Sequence, residues 1–199
     1  MSKRIYTLLT SLLVAFGVAA SPAYATGAGE LKTQTSRLLQ QWTSKSNAGA
    51  LPADVVNSFD YETFASEAIK THAAQLNTQQ AAKYQQIFQA LLKKTVHRQA
   101  GSALADTKYT VGEAKVDGTK ATVVVDATMP KDDTQTSVVF TWRKKGEDWK
   151  IVDLSIDGGS LVRDYSNQFG RIIKRDGVDA LISRLDKRLA GTSEESARL

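Results

Sequence analysis

The chain has 199 residues, a formal charge of +5 and no cysteine. Without cysteine there is no disulfide framework, no thiolate metal site and no lipid-modified amino-terminal cysteine, so the core has to hold the fold. The charge is mild, and Lys and Arg alternate along the chain with Asp and Glu rather than clustering on one face. No nucleic-acid partner is therefore expected.

Residues 1–25 read as an export signal. Lys3 and Arg4 form a basic start, Ile5 to Ala20 carries no charge, and Ala23-Tyr24-Ala25 is a small-residue cleavage site. The apolar run falls short of the ~20 residues that a membrane span needs. Removal of this segment takes Lys3 and Arg4 with it and lowers the charge to +3. Residues 26–190 are long enough for one compact domain, and 191–199 form a polar, flexible tail.

Leu31, Thr35, Leu38, Leu39 and Trp42 recur at helical spacing, which predicts a first helix over 29–45. Pro52 suits the first turn of a short second helix. Asp60 has the position of an N-cap, flanked by Phe59 and Phe64 at the spacing of a hydrophobic staple, and its helix is expected to reach about Ala74. Asn77 with Gln80 forms a capping box for a helix to about Gln99. Tyr84, Ile87, Phe88, Leu91, Leu92 and Thr95 line one face of that helix.

After Gly101 the period changes from helical to alternating. Tyr109–Val116, Thr119–Thr128, Thr136–Lys144 and Asp148–Ile156 read as four strands. Asp117-Gly118, Pro130 to Asp133 and Lys145 to Glu147 mark the turns between them, so an antiparallel meander is expected. Ser160 then caps a helix with Leu161, Val162, Tyr165, Phe169, Ile172 and Ile173 on its apolar face. Asp176-Gly177 breaks it before a last helix carrying Val178, Leu181, Ile182, Leu185 and Leu189. The fold class is α+β: a four-stranded antiparallel sheet packed against amino- and carboxy-terminal helices.

Catalytic signatures are scarce. His72 and His97 lie far apart and lack the spacing of a metal pair. Nucleophile elbow, zinc-protease, phosphate-loop and dinucleotide motifs do not occur. Asp157-Gly158-Gly159-Ser160 reads either as a tight strand-to-helix turn or as a loop offering backbone N–H groups to a phosphate. Asp153 and Asp157 are expected on the solvent face of their strand, opposite Val152, Leu154 and Ile156. No enzyme, metal or cofactor follows from these residues. The apolar faces of the second, third and fourth strands confront those of the helices. Periodicity leaves open whether they interlock as a core or stand apart around a cavity.

The carboxy-terminal segment resembles the MlaC family, also known as the toluene-tolerance auxiliary family, of periplasmic phospholipid-binding proteins. The resemblance rests on Trp149, Lys150, Val152 and Asp153, then Gly159, Ser160, Leu161, Val162, Tyr165, Gln168 and Phe169. It continues through Arg175, Asp176, Gly177, Val178, Asp179, Leu181, Ile182 and Leu185. Phe59-Asp60-Tyr61 and the series Gln80, Tyr84, Phe88, Leu91, Leu92 extend it upstream. The chain departs from the pattern at Ala68 to His72, where family members often carry Leu-Gly-x-x-Trp.

The resemblance implies an apolar pocket between sheet and helices that holds acyl chains. Family position and face periodicity together put Tyr84, Phe88, Leu91, Val125, Phe140, Leu154, Leu161, Tyr165 and Phe169 on its wall. Ser160 or a nearby Lys or Arg would meet the head group. The implied role is a periplasmic carrier of phospholipid, without catalysis or cofactor. Its implied partners are an outer-membrane lipoprotein/porin complex and an inner-membrane ABC transporter with an MCE-domain subunit, a system that maintains outer-membrane lipid asymmetry. The alternatives are a carrier of another hydrophobic ligand, such as a hopanoid, and a hydrolase acting through His72, His97 or Asp126.

Overall fold

The computed structural model describes residues 22–43, 52–104, 107–128 and 133–196, without side chains at 22–26, 96–104 and 192–196. The segment read as an export signal lies outside the described residues as far as Ser21.

The amino-terminal half is helical: α1 (Pro22–Thr43), α2 (Ala53–Asn57), α3 (Tyr61–Ile69), a 3-10 turn (Lys70–Gln75) and α4 (Thr78–Leu104). The expected caps are present. Asp60 accepts from the backbone N–H of Thr63 at 3.0 Å, and its other oxygen accepts from the Thr63 hydroxyl at 2.8 Å. Asn77 and Gln80 close a reciprocal capping box at 2.8 and 3.0 Å. The helix expected to reach Ala74 instead tightens after Ile69, and in this 3-10 stretch His72 is half-buried while the residues around it are exposed.

The sheet has six strands rather than the four expected: β1 (Lys108–Val111), β2 (Lys115–Asp117), β3 (Lys120–Thr128), β4 (Gln135–Lys145), β5 (Asp148–Ile156) and β6 (Gly159–Ser160). All pair antiparallel, with β1 and β2 both on β3 and the order continuing through β4, β5 and β6. The expected first strand, Tyr109–Val116, is split because Gly112 to Ala114 stand opposite only Val123 and Val124. This bulge needs glycine at its start. The Gly112 N–H donates to the Val124 carbonyl at 2.8 Å, and a Cβ on Gly112 would sit 3.1 Å from that same oxygen. The sixth strand arises because Asp157 and Gly158, at φ +47° and +82°, form a two-residue hairpin turn that folds Gly159 and Ser160 back onto β5.

A second irregularity re-aims β5. Thr141 pairs with Asp153 and Trp142 with Ile151, which leaves Val152 as an extra residue. The simple alternation Val152, Leu154, Ile156 is thereby corrected. Ile151, Leu154 and Ile156 share rows with Trp142, Phe140 and Val138. Val152 is buried as well, at the bulge.

The helices α5 (Leu161–Asp176) and α6 (Val178–Ser196) complete the chain. Gly177 joins them at φ +85°, a conformation that favours glycine. The α6 backbone runs beyond Gly191, where the polar tail was expected to begin, to Ser196. One core unites the buried faces of α1, α3, α4, α5 and α6 with one face of the sheet. The edge of β5 is covered from outside: the Ile151 N–H donates to the Ser58 carbonyl at 2.7 Å, and the Asp60 N–H donates to the Ile151 carbonyl at 2.9 Å.

Candidate functional site

Cross-strand partners share a face, so the register divides the core side of the sheet into rows. Ala121, Trp142 and Ile151 form one row. Val123, Phe140 and Leu154 form the next. Val111, Val125, Val138 and Ile156 form the third. Exposure rises along this series. Trp142 and Ile151 are fully buried, as are Val123 and Phe140, but Val111 and Val138 are half-buried and Ile156 is 47% exposed. The apolar layer is thus closed around Trp142 and exposed at Ile156 on the β5 edge, while Val125 and Ala127 of β3 stay buried.

The helices supply an aromatic cluster to the same core. Phe88 of α4 meets Phe169 and Tyr165 of α5 edge-on, each at 5.0 Å between ring centroids. Tyr84 stacks on Phe88 at 5.5 Å and meets Phe169 edge-on at 5.9 Å. Phe64 of α3 meets Tyr165 at 6.4 Å. The Tyr84 hydroxyl is buried and donates to the Ala65 carbonyl at 2.9 Å, and burial drives its pKa well above the ordinary phenol range. Tyr165 differs from its neighbours in being only half-buried. Burial raises its pKa too, while the positive charge of Arg188 pulls the other way.

Polar groups inside the layer are few. The Trp142 indole N–H is fully buried with no hydrogen-bond partner among the described residues. At the open end the polar groups are committed to local structure. The Ser160 hydroxyl donates to Asp153 at 2.6 Å and accepts from the backbone N–H of Arg163 at 3.1 Å, as an N-cap. The other Asp153 oxygen accepts from the N–H of Val162 at 3.1 Å. Asp153 is therefore a part-buried capping carboxylate, which corrects the solvated position expected for it. Asp157, exposed as expected, accepts from the Ser137 N–H at 2.9 Å. The Asp157-Gly158 loop is a hairpin turn, and Arg163 donates to its Gly158 carbonyl at 2.9 Å.

The structure brings the nine pocket-wall candidates into or against one cluster. Tyr84, Phe88, Leu91, Val125, Phe140, Leu154 and Phe169 are buried in it, and Leu161 and Tyr165 pack half-buried at its margin. They meet as a packed layer. Two cavities, about 520 and 450 Å³, lie elsewhere. The larger lies between α1 and the β4–β5 hairpin and is lined by Glu30, Arg37, Trp149 and Lys150 among others. The smaller borders β1, β3 and β4.

His72 packs against Gly170 of α5, where a Cβ would come within 2.7 Å of its Nε2, and its Nδ1 lies 3.1 Å from the Gln75 amide. The side chain of His97 lies outside the described residues, and Asp126 is exposed on β3. Among the described residues no group of three or more His, Asp or Glu is placed to hold a metal ion. Nor is any helix of the described residues long and apolar enough to cross a membrane. Sequence reasoning missed the contacts that Asp153 makes with Ser160 and the Val162 N–H. They depend on the Asp157-Gly158 turn that folds Ser160 back onto β5, which periodicity does not show.

Fold and site together define an α+β protein with an apolar layer between an antiparallel sheet and its flanking helices. The chain belongs to the MlaC family, whose sequence profile, described as "MlaC protein", matches residues 32–187. No curated protein sequence matches it. Among solved structures it is similar to a phospholipid-binding protein from Ralstonia solanacearum in complex with a phospholipid. The two share 21% identity and a TM-score of 0.66, over 83% of this chain and 98% of that one.

Proposed function

We propose that this protein is a periplasmic phospholipid carrier. It takes up lipid at the open end of the layer and passes it between an outer-membrane lipoprotein/porin complex and an MCE-type ABC transporter of the inner membrane. Membership of the MlaC family supports this reading, and so does the phospholipid held by the structurally similar Ralstonia protein. The observation that carries it is the exposure gradient from Trp142 to Ile156 along one apolar sheet face.

The physics of the task fits such a layer. Each CH₂ moved from an apolar environment into water costs about 0.8 kcal/mol, and a two-chain lipid has on the order of 30 of them. A carrier has to hide nearly all of this surface, yet bind no more tightly than a few kcal/mol beyond the membrane itself. Unbranched chains require shape and dryness, not directional hydrogen bonds. A layer of Val, Leu and Phe with one polar margin meets that requirement. Acyl chains enter by parting the helices from the sheet, with Tyr165 and Leu161 at the margin moving first.

Mass spectrometry of an organic extract of the purified protein tests the proposal. Two-chain phospholipid in near-equimolar amount is expected. Recovery of only a polycyclic lipid would make the protein a carrier of a hopanoid-like ligand, and an extract without lipid, together with no uptake from phospholipid vesicles, would sink the carrier reading.

A further inference from the structure

The cations that alternate with acids along the chain gather on one part of the folded surface. Helix α4 has no Asp or Glu in its 27 residues, and α5 carries four Lys and Arg against two Asp. The densest part lies where α5 meets α6. Arg171, Lys174 and Arg175 stand at i, i+3 and i+4 on α5, and Arg184, Lys187 and Arg188 do so on α6, so each set is one stripe along its helix. All six are exposed. Asp176 ties the two stripes together. Its Oδ2 accepts from the Arg175 guanidinium at 2.9 Å and from the Arg184 guanidinium at 2.5 Å, so two cations share one carboxylate. Arg171, Lys174, Lys187 and Arg188 have neither a hydrogen-bond nor an ion-pair partner among the described residues. Asp179 is engaged by the Gln80 amide of α4 at 2.7 Å, and Asp186, two residues from Arg184, falls on a different side of α6.

From this surface we infer that the joined stripes of α5 and α6 are a docking face for an anionic membrane surface. Charge complementarity names the occupant, and the composition of the face decides between a membrane and a protein. A stereospecific protein interface has an apolar or aromatic centre, and lysine is depleted from it. No large hydrophobic residue is exposed on the described part of α5 or α6; the one that is exposed among the described residues, Ile156, belongs to β5. A cationic face without an apolar anchor suits phosphate head groups in a fluid plane. Each basic residue near such a plane adds attraction within a Debye length, and no fixed partner geometry is required. The backbone beneath the stripes is fixed by buried Phe169, Ile173, Leu181 and Leu185, so docking orders side chains and not helices. The attraction is reversible and salt-sensitive, and it does not depend on what the apolar layer holds.

Co-sedimentation of the purified protein with vesicles tests this. Binding is expected to vesicles of phosphatidylglycerol mixed equally with phosphatidylcholine at low salt, to fall away at high salt, and to be absent from pure phosphatidylcholine. The triple variant Lys174→Gln, Lys187→Gln, Arg188→Gln should weaken binding about a hundredfold, at about fivefold per residue. These side chains are exposed and unpartnered, so the fold should be unaffected. The variant Lys108→Gln, Lys115→Gln, Lys120→Gln removes the same charge from exposed positions on β1, β2 and β3 and should change binding by less than about fivefold. Equal losses in the two variants would make net charge the cause and overturn the inference. Equal binding to neutral vesicles would overturn it too, as would no binding to anionic ones, which would leave the stripes to an acidic protein partner. Failure of the carrier reading is distinguishable: vesicle binding by a protein whose extract holds no lipid would sink that reading alone.

Discussion

The two ends of the apolar sheet face carry the same kinds of residue and differ in what covers them. At the closed end, Trp142 and Ile151 are fully buried, and Ser58 to Asp60 hydrogen-bond the edge of β5. At the open end, the same strand continues to Ile156, which nothing covers to a comparable degree, and the chain turns back at Asp157-Gly158 into α5. Hydrophobic burial stabilises the first arrangement. The second leaves one large apolar side chain, Ile156, 47% exposed.

Truncation should separate the two ends most strongly. Phe140→Ala, in the buried middle row, is expected to cost about 3–5 kcal/mol in chemical denaturation. Ile156→Ala should stay within about 0.5 kcal/mol, as an exposed site does. Ile156→Asp should likewise leave stability nearly unchanged while slowing lipid uptake, which would mark the open end as functional rather than structural. Equal stability losses at Phe140 and Ile156 would erase the distinction.

The capping carboxylate at the open end comes next. Asp153→Ala removes the acceptor for both Ser160 and the Val162 N–H and should cost about 1–2 kcal/mol. Hydrogen exchange should rise at the start of α5 and not in α3.

Asp60 provides the matching test at the closed end. Burial pushes its carboxyl pKa up, but the Thr63 N–H, the Lys145 ammonium at 3.0 Å and the Thr63 hydroxyl outweigh burial and hold it below the usual carboxylate value of 3.8. A carboxylate with a depressed folded-state pKa contributes stability that is complete above the unfolded value and is lost as pH falls through the folded one. Thermal stability should therefore decline below about pH 4, and part of that decline should vanish in Asp60→Asn. An unchanged acid profile in the variant would place the linkage elsewhere.

The smallest effect is expected at Trp142. Replacement by Phe leaves a small void but also removes an N–H without a partner, and the two changes oppose each other. Denaturation midpoints should move by no more than about 1 kcal/mol in either direction. A loss well beyond that would mean that the indole N–H is hydrogen-bonded in solution.

Much of this fold was legible in the sequence because its signals are local. Asp60, Asn77 with Gln80, and Ser160 all cap the helices that they precede, and Asp117-Gly118 and Gly146 turn their hairpins. The non-local features were not legible. The bulges at Gly112 and Val152 depend on which residues the neighbouring strand presents, and one inserted residue changes which side chains reach the core. For that reason the sequence pattern puts Val152 in the row that Ile151 occupies. The nine pocket-wall candidates lie in or against one packed core. Whether such faces interlock or part around a ligand depends on the distance between layers, which periodicity does not encode.

The most direct test of the central claim is to map where acyl chains lie. A phospholipid with a photoreactive group near the chain terminus, loaded and irradiated, is expected to label peptides containing Phe88, Phe140, Leu154 and Phe169. Labelling confined to the groove of Arg37, Trp149 and Lys150 would contradict the account and place the lipid on the other side of the closed end.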